Sequence, residues 1–306
     1  MGCLVLWYFD PFAIGRNQKI TSPLPDFLNL LKNNQVSTMH LFQPVIGDVE
    51  ANEVKETDIT ARAALMYDLT NGKTLFSKNP TQHMPMASLT KIMTAVVALE
   101  HKKDDDKYLV PASALVGEDS MGLNAGEILS LEELLYGLML HSGNDAAEVL
   151  AANYPGRRDE FTRAMNKKAQ ALGLTDTNFT NPSGLQGDGN QYTTAHDLLV
   201  MTDYALSNFP LFKLVASSVE HTIPKTTTHK EYYLENETNL ISTYPGVKGV
   251  KTGYTPEAGY CLVSYLEFEG QHVVGILLGS ENRRAEMKNL LDFSLKSLGI
   301  VPPLHD

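Results

Sequence analysis

Ser88 and Lys91, three residues apart at the head of an apolar helical run, are a pair whose types and spacing could do chemistry. They lie in Met84-Pro85-Met86-Ala87-Ser88-Leu89-Thr90-Lys91, which continues through Ile92, Ala95, Val96 and Leu99 at helical spacing. Residues three apart on a helix project from the same side. A serine hydroxyl is a poor nucleophile until a base takes its proton, and a neutral lysine amine in reach could be that base. Lysine normally titrates near ~10.4, so work at neutral pH needs a depression of roughly 3 units, about 4 kcal/mol. Burial and a second cation nearby are the two routes to it. The plainer reading makes Ser88 a helix cap. Two further segments carry reactive types. Ser142-Gly143-Asn144 interrupts two apolar helical runs, either as a turn with Asn144 capping the next helix or as polar groups aimed into a cleft. Lys251-Thr252-Gly253 offers a cation and a hydroxyl side by side, suited to a carboxylate, with a glycine that admits substrate backbone. Its plainer reading is an edge strand with a solvated lysine. Ser280-Glu281-Asn282 repeats the Ser-x-Asn spacing, and at a strand-to-helix junction it reads as capping.

The elements that must hold these residues are legible from periodicity and turn chemistry. Arg62–Asp68 and Lys73–Ser77 read as strands joined through Asn71-Gly72. Residues 102–127 are polar and irregular. Ser130-Leu131-Glu132-Glu133 is a capping box opening a helix on Leu131, Leu134, Leu135, Leu138 and Met139. Helices are predicted over Asp145–Ala152, Asp159–Leu172, Ala195–Ser207 and Asn282–Leu298, with Gly173 and Thr194 as punctuation. Asn178–Gln191 is a turn-rich loop, and residues 209–246 are mixed. Strands Gly259–Phe268 and His272–Gly279 flank a Glu269-Gly270 turn. Strands at both ends of the chain with helices between them predict one antiparallel sheet, an inserted helical part, and a cleft between the two. The expected division is a lead-in over 1–58, a catalytic domain over 59–300 and a tail over 301–306. Within the domain, the sheet part spans 59–85 and 245–300, and the helical part 86–244.

At 306 residues and 43% hydrophobic, the chain can bury a sizeable core. A net charge of -11 with no basic block argues against nucleic acid as a partner. Cys3 and Cys261 fall in a tail and a strand, which predicts no structural disulfide, and the nine histidines show no metal-ligand spacing. No metal and no cofactor are expected. The apolar run Cys3–Phe9 is too short to span a bilayer and lacks the features of a signal peptide. With Trp7-Tyr8 before Asp10-Pro11 it is similar to the exit end of a membrane helix, so the expectation is an upstream anchor or signal, against a plain apolar tail.

Ser88-x-x-Lys91, Ser142-x-Asn144 and Lys251-Thr252-Gly253, in this order, match the signature of penicillin-binding proteins and class A β-lactamases. The surrounding stretches Ala87–Ala95, Ser142–Ala147, Phe179–Leu185, and Lys251–Thr255 with Ala258-Gly259-Tyr260 resemble the low-molecular-mass penicillin-binding proteins over roughly residues 55–300. Among these the chain is most similar to the serine D-alanyl-D-alanine carboxypeptidases. The resemblance implies an α+β fold of the β-lactamase/transpeptidase type, with a five-stranded antiparallel sheet. It implies that Ser88 attacks the carbonyl between two D-alanines of a peptidoglycan stem peptide, with Lys91 as base. Ser142 would relay a proton to the leaving nitrogen, and Asn144 would bind the substrate amide. Lys251 and Thr252 would hold the terminal carboxylate beside Gly253, and Lys251 would help keep Lys91 neutral. The backbone N–H groups of Ser88 and Tyr254 would form the oxyanion hole. β-Lactams would be covalent inhibitors, and the site of action extracytoplasmic, with membrane attachment, if any, through the N-terminus.

The chain departs from the family pattern in three places. Lys248 stands before Gly249 where the family often has an acid, the β-rich C-terminal extension of many relatives is not seen, and Asp188 is the only acid in the Asn178–Gln191 loop. The last point predicts that penicillin acylates Ser88 and stays. The neighbouring readings are a D,D-endopeptidase cutting cross-links, a serine β-lactamase, and a non-catalytic wall-binding or penicillin-sensing module.

Overall fold

The computed structural model describes residues 42–47 and 58–305. The expected features of residues 1–9, most of the lead-in, and Cys3 lie outside the described residues.

Five strands form an antiparallel sheet: β1 (Ala63–Asp68), β2 (Lys73–Lys78), β7 (Val247–Thr255), β8 (Gly259–Phe268) and β9 (Gln271–Ser280), in the order β2-β1-β9-β8-β7. The expected sheet from both chain ends is therefore what forms. Alternation along the strands divides two cores. Ala63, Leu65 and Tyr67 of β1, with Val274, Ile276 and Leu278 of β9, face the larger core, which contains the central helices. Ala64 and Met66, with Val273 and Leu277, face the smaller core beneath the last helix, α8 (Arg283–Ser297). Burial on both faces explains why the β1 sequence Ala-Ala-Leu-Met-Tyr-Asp is a continuous apolar run up to its last residue rather than an alternating one.

The helical part is built around α1 (Lys91–Glu100), whose residues from Lys91 to Ala98 are all buried. A helix buried on every side lies at the centre of a bundle rather than on its surface. Around it stand α2 (Leu131–Met139), α3 (Asn144–Ala152), α4 (Arg157–Ala171) and α5 (Ala195–Asn208). The Ser130 capping box forms with both hydrogen bonds, and Thr194 caps α5 by accepting from Asp197 N. Asn282 caps α8 by accepting from Ala285 N, so the second Ser-x-Asn is the cap it was read to be. The mixed stretch 209–246 becomes α6 (Pro210–Ala216), a hairpin of β5 (Glu220–Ile223) with β6 (Tyr232–Glu235), and the short α7 (Leu240–Thr243). The irregular 102–127 segment contributes β3 (Tyr108–Leu109), which pairs with β4 (Ile128–Leu129). Among the described residues no helix is long and apolar enough to cross a membrane.

Candidate active site

Ser88 does not sit in the first turn of the α-helix, as the spacing suggested. It lies in a separate 3-10 turn, Ala87–Thr90, that leads into α1. Ala87 holds φ at +47°, a left-handed conformation that costs an L-residue roughly 1–2 kcal/mol. Nor does Ser88 cap α1, because neither turn nor helix has a side-chain cap at its start. Two glycines let other segments close on this turn. A Cβ on Gly184 would lie 2.1 Å from Ala87 O, and one on Gly253 would lie 3.1 Å from Ser88 N. The loop after α4 and the edge strand β7 therefore pack directly against the backbone that carries the hydroxyl.

Lys91 is fully buried, and its Nζ makes three contacts: Ser88 Oγ at 2.8 Å, Asn144 Oδ1 at 2.7 Å and the Ser183 carbonyl at 2.7 Å. The Asn144 amide is oriented by its own Nδ2, which donates to Glu118 O at 2.7 Å, so Oδ1 must face the lysine. Two of the three contacts are then obligatory acceptors. A neutral amine has two N–H groups to satisfy them and one lone pair left, directed at the Ser88 hydroxyl. Burial, and then the positive charge of Lys251, push the Lys91 pKa well below its ordinary value. Asp119, Glu237 and Asp145 act in the opposite sense without reversing it.

Asn144 opens α3 as its first residue, with Gly143 in the cap position, which corrects the expectation that Asn144 is the cap. Its backbone N donates to Asp119 O at 2.7 Å, so both its amide groups hold the 117–120 loop instead of the helix end. Ser142, buried, takes φ +57° in the kink between α2 and α3. Asp145, buried behind it, accepts from Ser120 Oγ and from the backbone N of Met121, Gly122 and Leu123 at 2.5–3.0 Å.

The remaining residues come in on β7. Lys251 is fully buried rather than solvated, and among the described residues its Nζ meets no hydrogen-bond acceptor. Burial lowers its pKa to about 8, partly opposed by Glu237 and reinforced by Arg283. Thr252 is buried beside it, while Tyr254 is exposed and packs on Tyr260, ring centroids 4.7 Å apart. Arg283 is the residue that sequence reasoning missed. From the first turn of α8 it donates to Gly253 O at 2.7 Å, fixing the strand opposite Ser88. Its signal was the arginine following the Asn282 cap, which only the folded sheet brings to β7. Among the described residues no group of three or more His, Cys, Asp or Glu could hold a metal ion.

A buried neutral amine against a hydroxyl, with a second buried cation close by, is equipped for acyl transfer from a substrate that ends in a carboxylate. Comparison with known proteins points the same way. Residues 50–282 match the family model described as D-alanyl-D-alanine carboxypeptidase, peptidase S11. D-alanyl-D-alanine carboxypeptidase DacF of Bacillus subtilis is 34% identical over 79% of this chain, which spans 64% of that protein's length. A D-alanyl-D-alanine endopeptidase of Pseudomonas aeruginosa is 35% identical over 68% of this chain and 67% of its own. Penicillin-binding protein D2 of Listeria monocytogenes, solved in an ampicillin-bound form, superposes with a TM-score of 0.68 at 30% identity, covering 80% of this chain and all of that one.

Proposed function

Because this chain belongs to the D-alanyl-D-alanine carboxypeptidase family, we propose that it is a serine D,D-carboxypeptidase. Its substrate is a peptidoglycan stem pentapeptide, from which it removes the terminal D-alanine. Ser88 Oγ attacks the carbonyl between the two D-alanines, and its proton passes to Lys91 Nζ. The oxyanion is held by the backbone N–H groups of Ser88 and Tyr254, and losing one such donor typically costs ~100- to 1000-fold in rate. The C–N bond then breaks, and Ser142 relays the proton to the departing D-alanine nitrogen. Water hydrolyses the ester on Ser88. Asn144 binds the substrate amide, and Lys251 and Thr252 hold the terminal carboxylate beside Gly253. The observation that carries this reading is the set of three contacts at Lys91 Nζ, which leaves a neutral amine one lone pair for Ser88.

β-Lactams act as covalent inhibitors at Ser88, and the site of action is extracytoplasmic, where the stem peptides are. The test is incubation with labelled penicillin followed by peptide mass spectrometry, alongside assay of D-alanine release from a pentapeptide. An adduct on Ser88 that Ser88→Ala abolishes is the expected result. No adduct, or an adduct on another residue, overturns the proposal. The Pseudomonas relative's name favours one second reading, a D,D-endopeptidase. Release of free D-alanine in preference to cleavage of cross-linked dimers separates the two.

A further inference from the structure

Lys91, Lys251 and Arg283 converge on one side of the cleft, and the acid whose charge acts on all three is Glu237. A cavity of about 100 Å³ lies at the β7 edge of the sheet. Thr252 and Leu262, partners across β7 and β8, line it from the sheet. Arg283 and Arg284 line it from the first turn of α8, and Glu237 and Thr238 from the turn after β6. Glu237 is the one acid among the described residues that line it.

The backbone of that turn is tied down on both sides. Glu237 N donates to Leu140 O at 3.1 Å, at the end of α2 and two residues before Ser142. Asn236 donates from Nδ2 to Ser218 O at 2.9 Å and to Ala216 O at 3.3 Å, and its Oδ1 accepts from Thr238 N at 2.9 Å. Glu237 is exposed, but on so tethered a backbone its charge stays beside the cavity.

Charges reach the three basic groups from every element around them. At Lys251, burial lowers the pKa most. Glu237 opposes that most strongly, Arg283 of α8 adds to it, and Asp119 of the 117–120 loop opposes it more weakly. At Lys91, burial and then Lys251 lower the pKa against Asp119, Glu237 and Asp145. At Arg283, burial lowers it against Cys261, Glu237 and Tyr260, with Arg284 adding a smaller push downwards. In the empty cleft Glu237 is therefore a counter-charge for the whole group. A bound substrate brings a second one, its terminal carboxylate, to Lys251 and Thr252. Two carboxylates gathered on one set of cations repel each other.

We infer, on the carboxypeptidase reading above, that Glu237 stands in for the substrate's carboxylate while the cleft is empty and competes with it when substrate binds, so that this residue sets how tightly a terminal carboxylate is held. The test is calorimetric binding of Nα,Nε-diacetyl-L-lysyl-D-alanyl-D-alanine, and of its C-terminal amide, to Ser88→Ala with and without Glu237→Gln. At about pH 6 and low salt, Glu237→Gln is expected to tighten the acid peptide about two- to fivefold, the range of an exposed charge pair, and to leave the amide unchanged. Salt should shrink the gain. The gain should also fade as pH climbs towards 8, because Lys251 without the neighbouring acid gives up its proton at lower pH. The empty protein should melt at a lower temperature in Glu237→Gln, its buried bases having lost a counter-charge. A merely structural role would weaken stability and binding together. Glu237→Asp should keep most of the wild-type behaviour. Glu231→Gln, exposed just before β6, removes the same net charge and should change neither affinity. Unchanged or weaker binding of the acid peptide in Glu237→Gln at about pH 6, an equal gain for the amide, or an equal gain in Glu231→Gln overturns the inference. If the acid peptide behaves as expected while penicillin fails to label Ser88 in the otherwise unaltered protein, the carboxypeptidase reading falls and the counter-charge stands.

Discussion

At the centre of the site are two buried lysines, neither of which makes an ion pair with a carboxylate among the described residues. The charge of Lys251 lowers the cost of deprotonating Lys91, whereas burial, reinforced by Arg283, lowers the pKa of Lys251. Lys91 has acceptors for two N–H groups and can lose its proton in place, whereas Lys251 has no hydrogen-bond acceptor among the described residues and keeps its charge up to about pH 8. On the proposed mechanism Lys91→Gln removes the base and is expected to slow penicillin acylation by about 100- to 10,000-fold, measured by stopped-flow labelling. The pH dependence has a definite sign. Lys251 is charged below about 8 and neutral above it, so KM for a substrate with a free terminal carboxylate should rise as pH climbs through 8. An analogue with an amide in place of that carboxylate should not show this limb. Lys251→Met should do more than weaken carboxylate binding. Without its neighbour's charge, the Lys91 pKa rises towards its ordinary value, so the acidic limb of penicillin acylation should move to higher pH. An unmoved acidic limb in Lys251→Met would show that burial alone keeps Lys91 neutral.

At the scale of elements, three separate pieces converge on one strained turn. The 3-10 segment Ala87–Thr90, with Ala87 in a left-handed conformation, is packed against by Gly184 and Gly253, both of which come close because they lack a Cβ. Gly184 itself sits at φ +89°, so Gly184→Ala meets both a backbone strain and a 2.1 Å approach to Ala87 O. The expected cost exceeds ~1 kcal/mol. Because the clash lies against Ser88's own turn, acylation should fall further than the change in Tm alone explains. Calorimetry and penicillin labelling of the same preparation separate the two effects. On the proposed mechanism the loop between Asn178 and Gln191 also bears on the lifetime of an acyl-enzyme. Its one acid, Asp188, is engaged on the surface by Arg158 at 2.7 Å, which argues against its acting as a base for a β-lactamase-type deacylating water at Ser88. A penicilloyl adduct should therefore outlast the release of D-alanine from a natural substrate by orders of magnitude. Steady turnover of a chromogenic cephalosporin would contradict this.

Across the whole molecule, what could be read from the sequence was what is encoded within a few residues. The Asn71-Gly72 and Glu269-Gly270 turns, the Ser130 capping box and the stripe of α8 each specify their element locally, and they formed where they were expected. Of the two readings open for Asn144, a cap or a polar group in the cleft, the cap fails because its side chain answers to Lys91 and Glu118, respectively 53 and 26 residues away in the chain. Arg283 was missed for the same reason, its partner Gly253 lying 30 residues back across the sheet. Long-range closure also governs stability, since β1 near the start must pair with β9 near the end. One side chain sits on that seam. Glu286, buried at the start of α8, accepts from Thr60 N at 2.8 Å, Ala61 N at 3.3 Å, Ser280 Oγ at 2.8 Å and the Thr60 hydroxyl. It joins the residues that lead into β1 to the end of β9 and to the helix that covers both strands. Glu286→Ala would strand two backbone N–H groups at a cost of about 3 kcal/mol. For a domain of this size that is a fall in Tm of roughly 6–12 °C. Molecules still folded at low temperature should take up penicillin at the wild-type rate, because Glu286 lies on the far side of the sheet from Ser88's core. An unchanged Tm would mean that β1–β9 pairing closes the fold without this seam. A slowed acylation in the folded fraction would mean that α8 positions β7 through Arg283 more tightly than its packing requires.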